Sequence, residues 1–156
     1  MTGGDRERAL NLALKFLGYR ARSEAEVRAK LTQSEFAPKI VELTLEKLRA
    51  LKLLDDEAFA RSFAQARIEN RGYGPLRLER ELRLKGVAKA VVGRILDETF
   101  AKHGGKERAR ALVDKRFRGK DLKDAKTLRR AISFLQRRGY RDSVIGEILR
   151  QPLRDD

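Results

Sequence analysis

Basic side chains are the most abundant groups in this sequence that could recognise a ligand. Its 156 residues include 37 lysines and arginines against 23 aspartates and glutamates, which gives a formal net charge of +14. An arginine guanidinium is a planar fork that can donate paired hydrogen bonds to phosphate or carboxylate oxygens. The excess of positive charge therefore predicts a partner that is a polyanion or that itself holds one.

Groups suited to catalysis are scarce. The chain has no cysteine and one histidine, His103, so thiol chemistry and sulfur-ligated zinc are excluded, and a histidine triad or multi-histidine metal site is not expected. No glycine-rich loop ends in Gly-Lys-Ser or Gly-Lys-Thr, the pattern that cradles nucleotide phosphates. We therefore expect a protein that is not an enzyme and that needs no metal or cofactor.

One acidic cluster leaves two interpretations open. Asp55, Asp56 and Glu57 are consecutive, and a nuclease could use such carboxylates to hold magnesium. Acidic residues also favour the N-terminus of a helix, where Asp55 or Asp56 could cap the segment that carries Phe59. We favour the capping role because it is the simpler explanation.

The elements that must position these groups are predicted to be helices. Leucine and alanine number 40 together, against 13 for valine and isoleucine, and unbranched side chains favour helices over strands. Apolar residues recur at helical spacing, as in Leu10, Ala13, Leu14 and Leu17, and no stretch alternates with period two. The fold class is therefore predicted to be all-α.

Helix starts and stops are marked as well. Ser23 and Glu26 have the spacing of a capping box, in which each side chain caps the other's backbone N–H. Pro38 and Pro75 suit the first turn of a helix. Asp142 is expected to cap the last helix and Pro152 to end it.

A pattern of five apolar residues, spaced 4, 5, 4 and 5 apart, occurs three times at offsets of 51 and 53 residues. The five-residue steps indicate turns between helices. The three sets are Val27, Leu31, Phe36, Ile40 and Leu45; Leu78, Leu82, Val87, Val91 and Leu96; and Ala131, Leu135, Tyr140, Val144 and Leu149. Gly86 and Gly139 stand where a helix ends in a left-handed residue. Glu35 stands there in the first copy, which predicts a different turn.

Each copy also has an amphipathic segment upstream, so we predict three tandem three-helix repeats. Their expected boundaries are residues 5–54, 55–103 and 104–151, with flexible tails at 1–4 and 152–156. Repeats of this kind stack on their neighbours, which predicts an elongated, curved body.

The positive charge is unevenly distributed over these repeats. The net charge is +4 and +2 in the first two, and +8 from residue 104 to the end. We predict a basic strip that binds the polyanion, made of Arg77, Arg80, Arg83, Lys85, Lys89, Arg129, Arg130, Arg137, Arg138 and Arg141. The alternative is solvated surface paired with nearby carboxylates. Tyr73 and Tyr140 could stack on bases, although packing at turns is the favoured interpretation.

Three stretches of the sequence carry a family resemblance. They are residues 20–27 (RARSEAEV), residues 53–87, which begin LLDDEAFA and end RELRLKGV, and residues 134–140 (FLQRRGY). Their order and spacing, over about residues 9–150, resemble those of the RecX family of bacterial recombination regulators. The positions carried over from the family pattern are Asp56, Phe59, Glu81, Leu82 and Gly86, most of which suit structural roles.

The resemblance implies a helical, non-enzymatic regulator that binds RecA and lies in the groove of the RecA–DNA filament. It implies inhibition of RecA ATPase, strand exchange and coprotease activity, by blocking or destabilising filament growth. It also implies binding to single- or double-stranded DNA without sequence specificity. We expect a cytoplasmic monomer, since no apolar run approaches a membrane span of about 18 residues. The alternative is a free-standing DNA-binding protein with helix–turn–helix units at residues 80–96 and 130–149.

Overall fold

The computed structural model describes residues 3–101 and 105–154, and every regular element in those ranges is an α-helix. The all-α prediction is confirmed. The helices in chain order are α1 (Gly3–Tyr19), α2 (Glu24–Gln33), α3 (Pro38–Ala50), α4 (Asp56–Arg71), α5 (Pro75–Leu84), α6 (Lys89–Thr99), α7 (Lys106–Arg116), α8 (Ala125–Arg138) and α9 (Asp142–Arg154).

The helices fall into three sets of three, as the repeated apolar pattern predicted. α1–α3 enclose a core that includes Ala13, Val27 and Leu31, and α7–α9 enclose one that includes Val113 and Leu135. Every one of the fifteen aligned residues is buried or partly buried. The 4, 5, 4, 5 spacing therefore indicates which face of each helix pair is buried.

The turn between the second and third helix is the same in all three repeats. In each repeat, the residue just before the third apolar residue of the pattern has a positive φ. The φ is 68° at Glu35, 84° at Gly86 and 93° at Gly139. The same pair of backbone bonds closes each turn, as in Phe36 N–H to Leu31 O at 3.3 Å and Tyr140 N–H to Leu135 O at 3.1 Å. This is the Schellman arrangement. The predicted difference at Glu35 is wrong, because these bonds hold a non-glycine residue in the left-handed conformation.

By its contacts the chain divides into two compact units. Unit 1 is Met1–Ser62 with Leu82–Val92, and unit 2 is Phe63–Glu81 with Gly93–Asp156. The division passes through α4, α5 and α6, so each unit holds part of the middle repeat. The predicted repeat boundaries stay a prediction.

In unit 1 the α5–α6 turn packs on the N-terminus of α2. The Ser23 hydroxyl accepts from the Glu26 N–H at 3.1 Å and donates to the Lys85 carbonyl at 2.6 Å. Glu26 completes the capping box by accepting from the Ser23 N–H at 3.0 Å, and its carboxylate lies 3.5 Å from the Lys85 ammonium. A Cβ at Gly86 would clash with the Ala25 methyl group, so the turn lies directly against the first turn of α2.

In unit 2 the α8–α9 turn packs on the N-terminus of α5 in the equivalent way. The Gly74 N–H donates to the Arg138 carbonyl at 2.7 Å and the Leu76 N–H to the Gly139 carbonyl at 2.9 Å. A Cβ at Gly139 would clash with Arg77. Gly74 and Arg77 occupy the positions of Ser23 and Glu26 in the preceding repeat. The two units therefore use one docking scheme, with different side chains.

The last helix differs from its predicted start and stop. Asp142 lies inside α9 and accepts from the Gln136 amide at 3.1 Å instead of capping. α9 continues past Pro152 to Arg154. Proline has no N–H for the Ile148 carbonyl, and the Arg110 guanidinium donates to that carbonyl instead, at 3.0 Å.

Residues 3–4 and 152–154, which were predicted to belong to flexible tails, are helical, and the tails themselves stay a prediction. The remaining tail residues lie outside the described ranges.

Replacing Ser23 by alanine should destabilise the fold. Ser23 is fully buried, and its loss leaves the Glu26 N–H and the Lys85 carbonyl without their partner. We expect the free energy of unfolding to fall by about 2 kcal/mol, as for other unsatisfied buried polar groups. Urea denaturation of S23A measures this, with Ser62→Ala on the exposed face of α4 as control. A loss no larger than that of the control would contradict the docking role.

Replacing Glu35 by glycine should have the opposite effect. A left-handed conformation costs a non-glycine residue about 1–2 kcal/mol, and the Glu35 side chain is exposed. We expect E35G to raise the free energy of unfolding by about 1 kcal/mol. Glu46→Gly, in the interior of α3, should instead be destabilising. Thermal unfolding of both variants checks the sign, and a lower Tm for E35G would refute the strain at this turn.

Candidate functional site

The basic strip is divided between the two units. Arg83, Lys85 and Lys89 belong to unit 1, and the other seven residues belong to unit 2. Seven of the ten are exposed: Arg80, Arg83, Lys89, Arg129, Arg130, Arg137 and Arg141. The strip as one continuous binding surface stays a prediction.

Three strip residues hold the structure together, as the alternative interpretation allowed. Arg77 bonds Glu81 at 3.2 Å, donates to the Arg137 carbonyl at 2.9 Å and lies 4.0 Å from the centre of the Tyr73 ring. Lys85 pairs with Glu26. Arg138 stacks on the Phe134 ring at 4.9 Å and donates to the Arg71 carbonyl. These contacts use many of the hydrogen-bond donors with which each side chain could bind a partner.

The two tyrosines serve packing. Tyr73 and Tyr140 are buried, and the Tyr140 hydroxyl donates to the Gly72 carbonyl at 3.0 Å. Burial raises the pKa of Tyr140 to about 12. Neither ring is available as a platform for a base, so the packing interpretation is the correct one.

The acidic cluster serves the starts of helices. The Asp55 carboxylate accepts from the Ala58 N–H at 3.1 Å, which caps α4. Asp56 accepts from the Glu24 N–H at 2.8 Å. Burial raises the pKa of Asp56, and repulsion from Glu24 and Asp55 adds to the rise. Within residues 3–101 and 105–154, no three carboxylate or imidazole groups are placed to share a metal ion. His103 lies outside those ranges.

A basic cleft in unit 2 is the most distinctive charged site among the described residues. It lies between the C-terminal end of α7, the connection after it and α8, and has a volume of about 690 Å³. We name it the third-repeat cleft, lined by Arg116, Phe117, Lys120, Lys126, Thr127, Arg129, Arg130, Ser133, Phe134 and Arg137. Six of these ten residues are cationic and none is acidic. A second cleft of about 620 Å³ adjoins it and shares Arg116 and Phe134.

Sequence reasoning placed only part of this cleft. The predicted strip contains Arg129, Arg130 and Arg137 but not Arg116, Lys120 and Lys126, which all lie outside the aligned apolar pattern. The available signal was the density of basic residues between 115 and 130, which connects α7 to α8. Arg141 and Arg80 do not line this cleft.

No carboxylate of the described residues neutralises a cation of the cleft. In the part of the chain that the structure describes, none of the six forms an ion pair with a carboxylate. Asp124, two residues before Lys126, accepts from the Thr127 N–H and hydroxyl, both at 3.0 Å. Those bonds hold the pKa of Asp124 below its ordinary value, and Arg129 and Arg130 lower it further. The lining of the cleft therefore has six basic side chains and no carboxylate among the described residues.

Fold and site together define a helical-repeat protein whose third repeat carries a basic cleft with no acidic residue in its described lining. Comparison with known families specifies it further. Models of the first, second and third three-helix domains of RecX match residues 9–48, 55–96 and 106–149. The chain belongs to the RecX family.

Individual relatives agree with this assignment. A regulatory protein RecX from Trichlorobacter lovleyi is 36% identical over 151 residues, covering 95% of this chain and 98% of its own. One from Mycolicibacterium smegmatis is 33% identical over 148 residues, covering 92% of this chain and 78% of its own. RecX is thus a family of regulatory proteins. No helix in the described ranges is long and apolar enough to cross a membrane.

Two solved structures are similar. A crystal structure of regulatory protein RecX has a TM-score of 0.78 at 26% identity, covering 94% of this chain and 72% of that one. RecX from Lactobacillus salivarius has a TM-score of 0.84 at 20% identity, covering 96% and 97%. At that identity the second likeness supports the fold alone.

Arg77 and Arg80 should respond differently to removal. Arg77→Ala loses a charge-assisted bond to a backbone carbonyl and the contact with Tyr73, so we expect the free energy of unfolding to fall by about 1–2 kcal/mol. Arg80 is exposed, so Arg80→Ala should change it by less than about 0.5 kcal/mol. Chemical denaturation of the two variants in one buffer measures the contrast. Equal stabilities would show that Arg77 is surface charge only.

Proposed function

We propose that this protein binds RecA and the RecA–DNA filament, and that it thereby inhibits RecA ATPase, strand exchange and coprotease activity. Inhibition would come from blocking or destabilising filament growth. The observation that carries the proposal is similarity to regulatory proteins RecX along nearly the whole chain, with all three domains matched in order. We infer a monomer acting in the cytoplasm, where RecA meets the chromosome.

The charge of the protein supports a DNA-containing partner. A net charge of +14 attracts a polyanion over a distance of about 8 Å at physiological ionic strength. Exposed arginines on α5 and α8, such as Arg80 and Arg130, can donate to phosphate oxygens. A RecA–DNA filament presents phosphates and protein together, so both kinds of contact can form at once.

A free-standing DNA-binding protein is the second candidate. The α5–α6 and α8–α9 pairs are helices joined by short turns, and such pairs can place a helix beside DNA. The third-repeat cleft favours this candidate for the DNA contact, because its cations need no RecA to attract phosphate. Affinities for naked duplex, naked single strand and RecA-coated DNA, measured in one buffer, separate the two. Tight sequence-specific binding to duplex would favour the second candidate.

Inhibition of RecA should be direct and measurable. At concentrations at or below that of RecA, we expect the protein to lower the rate of DNA-dependent ATP hydrolysis and of strand exchange. A basic protein could also inhibit merely by covering the DNA. Titration with excess naked DNA is the control, because it would relieve inhibition through DNA and leave inhibition through RecA in place. Normal ATPase and strand exchange with the protein in excess would reject the proposed function.

A further inference from the structure

The third-repeat cleft lies on a face that is a docking site in the other two repeats. Ala25 and Glu26 on α2 contact the α5–α6 turn, and Leu76 and Arg77 on α5 contact the α8–α9 turn. The repeat offsets carry these positions to Arg129 and Arg130 on α8, and both line the cleft. Both are exposed. Within the described residues, this face is therefore covered by a turn in the first and second repeats and is open in the third.

The start of α8 changes what this face can bind. α5 begins at Pro75, and the offset of 53 residues carries that position to residue 128. α8 begins at Ala125 instead, three residues earlier. The backbone N–H of Arg129, which corresponds to the Leu76 N–H, is thus bonded within the helix. Another helix–helix turn cannot make the backbone bonds that hold the α8–α9 turn on α5. On this stretch of α8, a ligand of the cleft is therefore bound by side chains.

The side chains of the cleft suit phosphate groups. Four of its cations are arginines, whose guanidinium groups pair with phosphate oxygens in a planar geometry, and the other two are lysines. From Lys126 to Arg137 the helix extends about 16 Å. That length matches about five phosphates along one strand of a duplex.

The aromatic residues of the cleft are not placed to recognise DNA bases by stacking. Phe134 is buried, and its ring packs edge-to-face on Phe117 with centroids 5.9 Å apart. Arg138 covers the Phe134 ring. With these rings committed to packing, the cleft can recognise a chain of phosphates but offers no exposed stacking platform.

We propose that the third-repeat cleft binds the sugar–phosphate backbone of DNA. The residues that contact the phosphates are Arg116, Lys120, Lys126, Arg129, Arg130 and Arg137. The proposal rests on the proposed function for the presence of DNA beside the protein, and it assigns the contact to the third repeat. The binding is to the backbone of DNA, independent of base sequence. An acidic protein surface is the competing occupant that the experiment must separate.

The test removes three exposed cleft charges together: Arg129→Gln, Arg130→Gln and Arg137→Gln. The matched control removes three exposed lysines of the first repeat: Lys15→Gln, Lys39→Gln and Lys47→Gln. Both variants lose the same net charge and keep residues that favour helices. Fluorescence anisotropy with a labelled single-stranded oligonucleotide, over a series of salt concentrations, gives the dependence of affinity on ionic strength.

Each phosphate contact contributes about 0.7 to the slope of log affinity against log salt for single strands. We expect the cleft variant to lower that slope by about 2 and the control to leave it unchanged. Replacement of the same three arginines by lysine should restore the slope. Equal slopes for the cleft variant and the control would overturn the proposal.

Two further readouts keep the outcomes distinct. Circular dichroism and Tm should match the unchanged protein, because all three residues are exposed; otherwise single substitutions, each expected to lower the slope by about 0.7, replace the triple variant. Loss of RecA binding without DNA, with normal DNA affinity, would assign the cleft to an acidic protein surface and overturn the proposal. Failure of the unchanged protein to inhibit RecA would reject the proposed function but not the cleft as a DNA site.

Discussion

The docking of a left-handed turn on the N-terminus of the preceding repeat's middle helix is the interaction on which each unit depends. A helix end leaves carbonyls without partners and a helix start leaves N–H groups without partners. In unit 2 these groups satisfy each other directly, Gly74 N–H to Arg138 O and Leu76 N–H to Gly139 O. In unit 1 the Ser23 hydroxyl mediates the same exchange. Because the bonds involve backbone carbonyls, the scheme tolerates different side chains.

This constraint decides which of the aligned charges can reach a partner. Glu26, Arg77 and Arg130 occupy one position of the repeat, yet the first two contact the neighbouring turn and only the third is exposed in a cleft. An arginine that recurs at an aligned position is therefore structural in the second repeat and a candidate ligand-binding group in the third. The local surroundings set the role of the residue, and the repeat pattern alone does not.

Much of the fold could be predicted, because apolar spacing and capping residues act locally. The capping box at Ser23, the helix starts at Pro38 and Pro75 and the three-fold apolar pattern all depend on neighbours within a few residues. The errors at Glu35 and Pro152 arose where hydrogen bonds compensate a local cost. Paired backbone bonds offset the left-handed strain at Glu35, and Arg110 supplies the donor that Pro152 lacks. The cleft escaped prediction for a related reason, since it also draws on residues outside the aligned helices.

The three extra residues at the start of α8 also bear on how such proteins could grow. A repeat array lengthens most simply by duplication of one unit, with each copy offering the next the same place to stack. The turn Ala125–Thr127 fills that place in the third repeat with helix. Another repeat stacked in the same manner as the α8–α9 turn on α5 would meet this extra turn of helix.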